Sequence, residues 1–157
     1  MNADARLREA AESLGFACDE EIRFGGDYVP LLRDGDLVYV SGQIPRVGSE
    51  IRVSGRVGEA VTLAQAQLAA RLCTLRALVV LQRELGSLDK VRQILRITVY
   101  TLSGEHFTQQ SEVSDGASGL LHFVLGDAGR HTRTSVGAYQ LPKNASVELD
   151  LVAAVRN

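Results

Sequence analysis

Apolar residues at Leu7, Ala10, Ala11 and Leu14 recur at i, i+3, i+4 and i+7, one face of a helix. This spacing predicts a short amphipathic helix over Asp4 to Leu14, stopped by Gly15 and laid on the main body as an N-terminal extension (residues 1–15). A glycine- and proline-containing connector, Phe24 to Pro30, opens the larger unit (24–157). Arg33-Asp34-Gly35-Asp36 reads as a turn, and Leu37-Val38-Tyr39-Val40-Ser41 as a strand ended by Gly42-Gln43-Ile44-Pro45. Ile51 to Val57 alternates and predicts a return strand.

Thr62-Leu63-Ala64-Gln65 has the capping-box pattern and starts a helix that runs to about Leu85 and stops at Gly86. Its apolar face is Leu68, Leu72, Leu75, Leu78, Val79 and Leu81, so Cys73 is packing. Val91 to Tyr100 predicts an inner strand: Leu95, Ile97 and Val99 alternate on one side, and Ile94 and Tyr100 add apolar surface to the other. A second helix is predicted over Phe107 to Leu125, then strands at Thr132–Tyr139 and Ser146–Val155. On the last strand Val147, Leu149, Leu151, Ala153 and Val155 form a core face, with Glu148 and Asp150 opposite. The order of elements indicates an α/β or α+β layer, two helices covering one sheet face.

The 157 residues suit one domain with a proper core, and 45% hydrophobic with 23% charged residues is ordinary for a globular chain. A net charge of −2, without a basic patch and interleaved aromatics, argues against a nucleic-acid surface. No apolar run reaches the roughly 18 residues of a membrane span, and the N-terminus lacks a signal-peptide core. Two isolated cysteines fit reduced thiols, so the expected location is cytoplasmic. The three histidines show no zinc spacing, no glycine-rich phosphate loop opens a helix, and Ser41-Gly42 lacks the strand-serine-helix setting of a nucleophile. No metal is expected.

The remaining candidates lie at the C-terminal end. Arg133 shares a strand face with the small residues Ser135 and Gly137, which leave room for a ligand, and a guanidinium is a rigid fork matched to carboxylates. Glu148 on the adjoining strand could aim a water at what that fork holds. Spacing alone favours the plainer reading, two charges on solvated strand faces.

Two longer-range registers change the weighting. Tyr28 lies fourteen positions before Gly42 in Ser41-Gly42-Gln43-Ile44-Pro45. Arg133 stands nine before Pro142 in Leu141-Pro142-Lys143, with Glu148 following. In these features the chain, from about Gly25 to Arg156, resembles the RidA/YjgF (L-PSP) family. The resemblance implies an α+β, chorismate mutase-like mixed sheet with two helices on one face, and a homotrimer with a barrel-like core and sites between subunits. It implies hydrolysis of reactive 2-imino acids to 2-keto acids and ammonia without metal or organic cofactor.

Carried over by position, Arg133 would hold the substrate carboxylate with backbone near Ser135, and Glu148 would position the water. Gly42 would offer backbone contact and Tyr28 would line the cleft. Ser135 stands where well-studied members have cysteine, Gly116 where they have a cleft asparagine, and Gly137 where they have an acidic residue. These departures mark a divergent subgroup with a reshaped pocket. A non-catalytic trimer binding small carboxylate metabolites is the alternative, and an endoribonuclease has the least support from charge.

Overall fold

The computed structural model describes residues 1–157. The first helix, α1 (Ala3–Ser13), is capped by Asn2, whose side chain accepts from the Ala5 amide at 2.9 Å. It is more than an extension. Ala3, Leu7, Ala10 and Ala11 are buried in the same core as the rest of the chain, and Asp4 accepts from the Leu88 amide and from Gln82.

Seven strands follow: β1 (Leu31–Asp34), β2 (Leu37–Gln43), β3 (Arg46–Val47), β4 (Glu50–Ile51), β5 (Val91–Leu102), β6 (Thr132–Ala138) and β7 (Val147–Val155). Five of them form a mixed sheet in the order β1-β2-β7-β5-β6, antiparallel throughout except for the parallel β5–β6 pair. The helices α2 (Leu63–Leu85) and α3 (Gln110–Leu125) carry the chain from β2 towards β5 and from β5 to β6. The last strand, β7, then inserts antiparallel between β2 and β5. The expected α+β mixed sheet is therefore present.

The capping box of α2 forms in full, with Thr62 and Gln65 satisfying each other's amides, and Gly86 takes the left-handed conformation that ends it. By length and composition α2 could cross a membrane, but 67% of that stretch is buried inside the fold, where it is the core helix. Burial pushes the Cys73 thiol well above its ordinary range, as befits packing.

Four expectations need correction. Residues Arg33 and Asp34 belong to an edge strand, β1, which the unpatterned Leu-Leu-Arg-Asp did not announce, and the turn narrows to Gly35 and Asp36. Ile51 to Val57 is no return strand: only Glu50–Ile51 pairs, with Arg46–Val47, and Ser54 makes a lone bridge to Ala145. An irregularity between Ile94 and Arg96 breaks the alternation of β5, so Ile94 joins Ile97 and Val99 in the core while Leu95 is exposed. Helix α3 begins at Gln110 rather than Phe107, without a side-chain cap.

Both long helices cover one sheet face. The other face carries Tyr39, Val136, Glu148, Asp150 and Val152, and Tyr39 and Val136 are exposed there.

Candidate functional site

Strand β2 shifts register against β7 between Val40 and Gln43, and this irregularity brings Gly42 against Glu148. A β-carbon on residue 42 would lie 2.7 Å from Glu148 Oε2, so only glycine leaves the carboxylate where it is. The two residues share a cavity of about 330 Å³ with Tyr28, Arg46, Arg76 and Lys143. Burial, and then the neighbouring Asp150, push the Glu148 carboxyl above the usual carboxylate range. Asp150 is raised by its own burial, although the Tyr100 hydroxyl donates to it at 3.3 Å. A half-buried carboxylate with raised proton affinity beside a cavity is a competent acceptor for a proton from water.

Tyr28 reaches this cavity from the connector, with its ring 5.4 Å from that of Phe24. Three expected site residues, Tyr28, Gly42 and Glu148, thus come together within one chain.

Arg133 does not join them. By register it faces the same way as Ile97, under α3, whereas Glu148 projects to the uncovered face with Asp150. Its guanidinium is not in bulk solvent either. Nη1 donates to Asp115 Oδ1 at 2.8 Å and to Ser118 Oγ at 2.9 Å, and Nη2 to Ser111 O at 3.0 Å and Oγ at 2.8 Å. The helix thus supplies a polar cradle: Ser111, Asp115 and Ser118 follow an i, i+4, i+7 stripe that was legible but unused.

His131 extends this network. Its Nδ1–H donates to the Gly129 carbonyl at 2.6 Å, which leaves Nε2 to accept from the Ser118 hydroxyl at 2.8 Å. Burial lowers the proton affinity of His131 and favours that neutral form. Ser135 faces α3 beside Arg133, with its hydroxyl 2.6 Å from that of Ser114.

Gly116 lies elsewhere. It is buried in the contact between α3 and α2, where an added β-carbon would stand 2.5 Å from the Gln67 carbonyl. Its lack of a side chain serves close helix packing and does not widen a ligand cleft.

Arg76 was missed altogether. It is the one charged residue between Leu72 and Leu81, and it is 1% exposed. Its three donors reach Gln43 Oε1 at 3.2 Å, the Arg46 carbonyl at 2.9 Å and the Arg23 carbonyl at 2.8 Å. A lone cation in an apolar helical run was the available signal. No three His, Cys, Asp or Glu side chains come together as metal ligands.

Comparison with known proteins gives a consistent picture. Residues 8–155 match the model of the family described as "YjgF/chorismate mutase-like, putative endoribonuclease". Protein TCP17 of Trypanosoma cruzi is 35% identical over 156 residues, which cover 99% of this chain and 98% of that protein. Among solved structures, Atu1372 of Agrobacterium tumefaciens, of unknown function, is 38% identical with a TM-score of 0.86, covering 98% of this chain and 94% of its own. E. coli TdcF, solved with bound serine, is 25% identical with a TM-score of 0.57, over 85% of this chain and 91% of its own.

Proposed function

Because the chain belongs to the YjgF/chorismate mutase-like family, we propose that it hydrolyses small 2-imino acids to 2-keto acids and ammonia in clefts between three copies of itself. The observation that carries this reading is the Glu148 carboxylate, half-buried, raised in proton affinity and set against Gly42 at a cavity. An imine carbon is already electrophilic, so orientation and a directed water supply much of the acceleration.

In the reaction a water oxygen bonds to C2 while its proton passes to Glu148. That proton moves on to the nitrogen. The C–N bond then breaks as the new hydroxyl gives its proton, by way of Glu148, to the same nitrogen, and ammonia leaves with the 2-keto acid behind. No electrons are exchanged and no cofactor is called on.

The carboxylate receptor is Arg133 of an adjacent copy. Support for a subunit contact comes from the uncovered sheet face, where Leu32, Tyr39 and Val136 are exposed. Asp115, with 63% of its side chain exposed, can swing into water when a substrate carboxylate takes its place on the Arg133 fork. The serine held by TdcF is likewise a small molecule bearing a carboxylate.

The test generates 2-iminobutanoate with a threonine dehydratase and follows imine loss by trapping with semicarbazide. Purified protein should accelerate the loss, and Glu148→Gln should remove about two orders of magnitude of the acceleration. Equal loss with protein, with the variant and with buffer would reject hydrolysis. Thermal stabilisation by 2-keto acids without turnover would instead establish a binding protein.

A further inference from the structure

The cavity beside Glu148 is lined by four cationic side chains, Arg23, Arg46, Arg76 and Lys143, against the single carboxylate of Glu148. Only Arg23 has a carboxylate within salt-bridge distance, Glu21 at 3.5 Å. The charges of Arg46, Arg76 and Lys143 meet no carboxylate within 4.0 Å. The cations do not serve Glu148, whose shift is upward and comes from burial and Asp150.

Two details show unused capacity for an anion. The Nε of Arg46 is enclosed and has no acceptor, so the hydrogen-bonding capacity of this guanidinium is not used up within the chain. Lys143 holds a left-handed backbone (φ 58°, ψ 22°) and Asn144 follows with φ 58°, a strained pair in residues other than glycine. Such strain gathers at ligand-binding turns, and here it sits on a cationic residue that lines the cavity. Arg76 fixes the geometry by gripping the carbonyls of Arg23 and Arg46 from below.

From this charge imbalance in a cavity of about 330 Å³, we propose that the substrate is a small acid with two anionic groups. One is the carboxylate adjoining the imine, and the second, a carboxylate or phosphate at the far end, is received by Arg46 and Lys143. A monoanionic acid would leave these cations without a counter-charge. The inference deepens the imine-hydrolysis reading, on which its catalytic half rests; its binding half stands alone.

Calorimetric titration of the wild-type protein with 2-oxobutanoate, 2-oxoglutarate and 3-phosphonooxypyruvate, a 2-oxo acid with a phosphate on C3, tests it. At least one of the two dianions should bind tenfold or more tightly than 2-oxobutanoate, and the tighter one identifies the distal group. Arg46→Gln and Lys143→Gln, each checked by thermal melting, should bring the dianion down to the affinity of the monoanion. Equal affinities in the wild type, or a preference that survives both substitutions, would overturn the proposal, as would tight binding of a short RNA that depends on the same two residues. Hydrolysis of 2-iminoglutarate and 2-iminobutanoate separates the two ideas. If neither is hydrolysed while Arg46-dependent dianion binding persists, the imine reading fails and this one stands. If both are hydrolysed at the same rate, this one fails and the imine reading stands.

Discussion

Gly42 and Glu148 touch so closely that a β-carbon on residue 42 would sit 2.7 Å from Oε2 and 3.0 Å from Cδ. The backbone of one strand therefore sets the position of the carboxylate on the next. Gly42→Ala should push the carboxylate away, and a displacement of about 1 Å is enough to lower turnover by about a hundredfold. The expected signature is a fall in kcat for imine hydrolysis with little change in the melting temperature. An alanine variant with wild-type kcat would show that the contact has no catalytic role.

Arg133 is held by Asp115, a grip that a substrate carboxylate would have to displace in the proposed reaction. Asp115→Asn should free the fork and lower KM for imino acids several-fold, while Arg133→Ala should raise KM and reduce kcat/KM together. With 22% and 63% of the two side chains exposed, the pair itself contributes only about 0.2–1 kcal/mol to stability. Steady-state kinetics of both variants, alongside urea unfolding, separate the two effects.

Burial raises the proton affinity of Glu148 and Asp150, so ionising them disfavours the folded state. For a carboxyl whose folded pKa lies above its unfolded value, the stabilising contribution is complete below the unfolded pKa. It is lost as pH rises through the folded one. Glu148→Gln and Asp150→Asn should therefore be more stable than the wild type at pH 7. The advantage should shrink as pH falls and vanish below about pH 3, where both carboxyls are protonated in either state. Urea unfolding across that range is the measurement, and a gap of unchanged size at low pH would contradict the assignment.

Arg76→Leu removes the donors for Gln43 and for two backbone carbonyls. Stability should drop by about 2–4 kcal/mol, most of it from acceptors left without partners, of which Gln43 Oε1 is buried. Chemical denaturation would register this as a lower midpoint with an unchanged slope.

Much of the architecture was legible because it rests on local chemistry. The capping box at Thr62 and the clean alternation of β7 determine α2 and the last strand with no outside help. The elements that sequence reading missed depend on distant partners. The edge strand β1 has no pattern of its own and exists because β2 offers it a ladder. In β5 the alternation looked regular, yet the irregularity against β7 moves Leu95 out of the core. The site divides in the same way. Strand periodicity tells which residues share a face with Arg133, but whether that face lies under a helix follows from how α3 packs. The family resemblance put Gly116 at a cleft position, while helix packing assigns that residue to the contact with Gln67.

Arg133 and Glu148 lie on opposite faces of one sheet, and this has a consequence for heredity as much as for chemistry. If each working site draws its arginine from one copy and its glutamate from the next, two inactive variants can rescue one another. An equal mixture of Arg133→Ala and Glu148→Gln chains, unfolded together and refolded, would assemble intact sites at about a quarter of all junctions in a closed ring. A cell carrying both defective alleles would keep a share of the activity that neither allele provides alone.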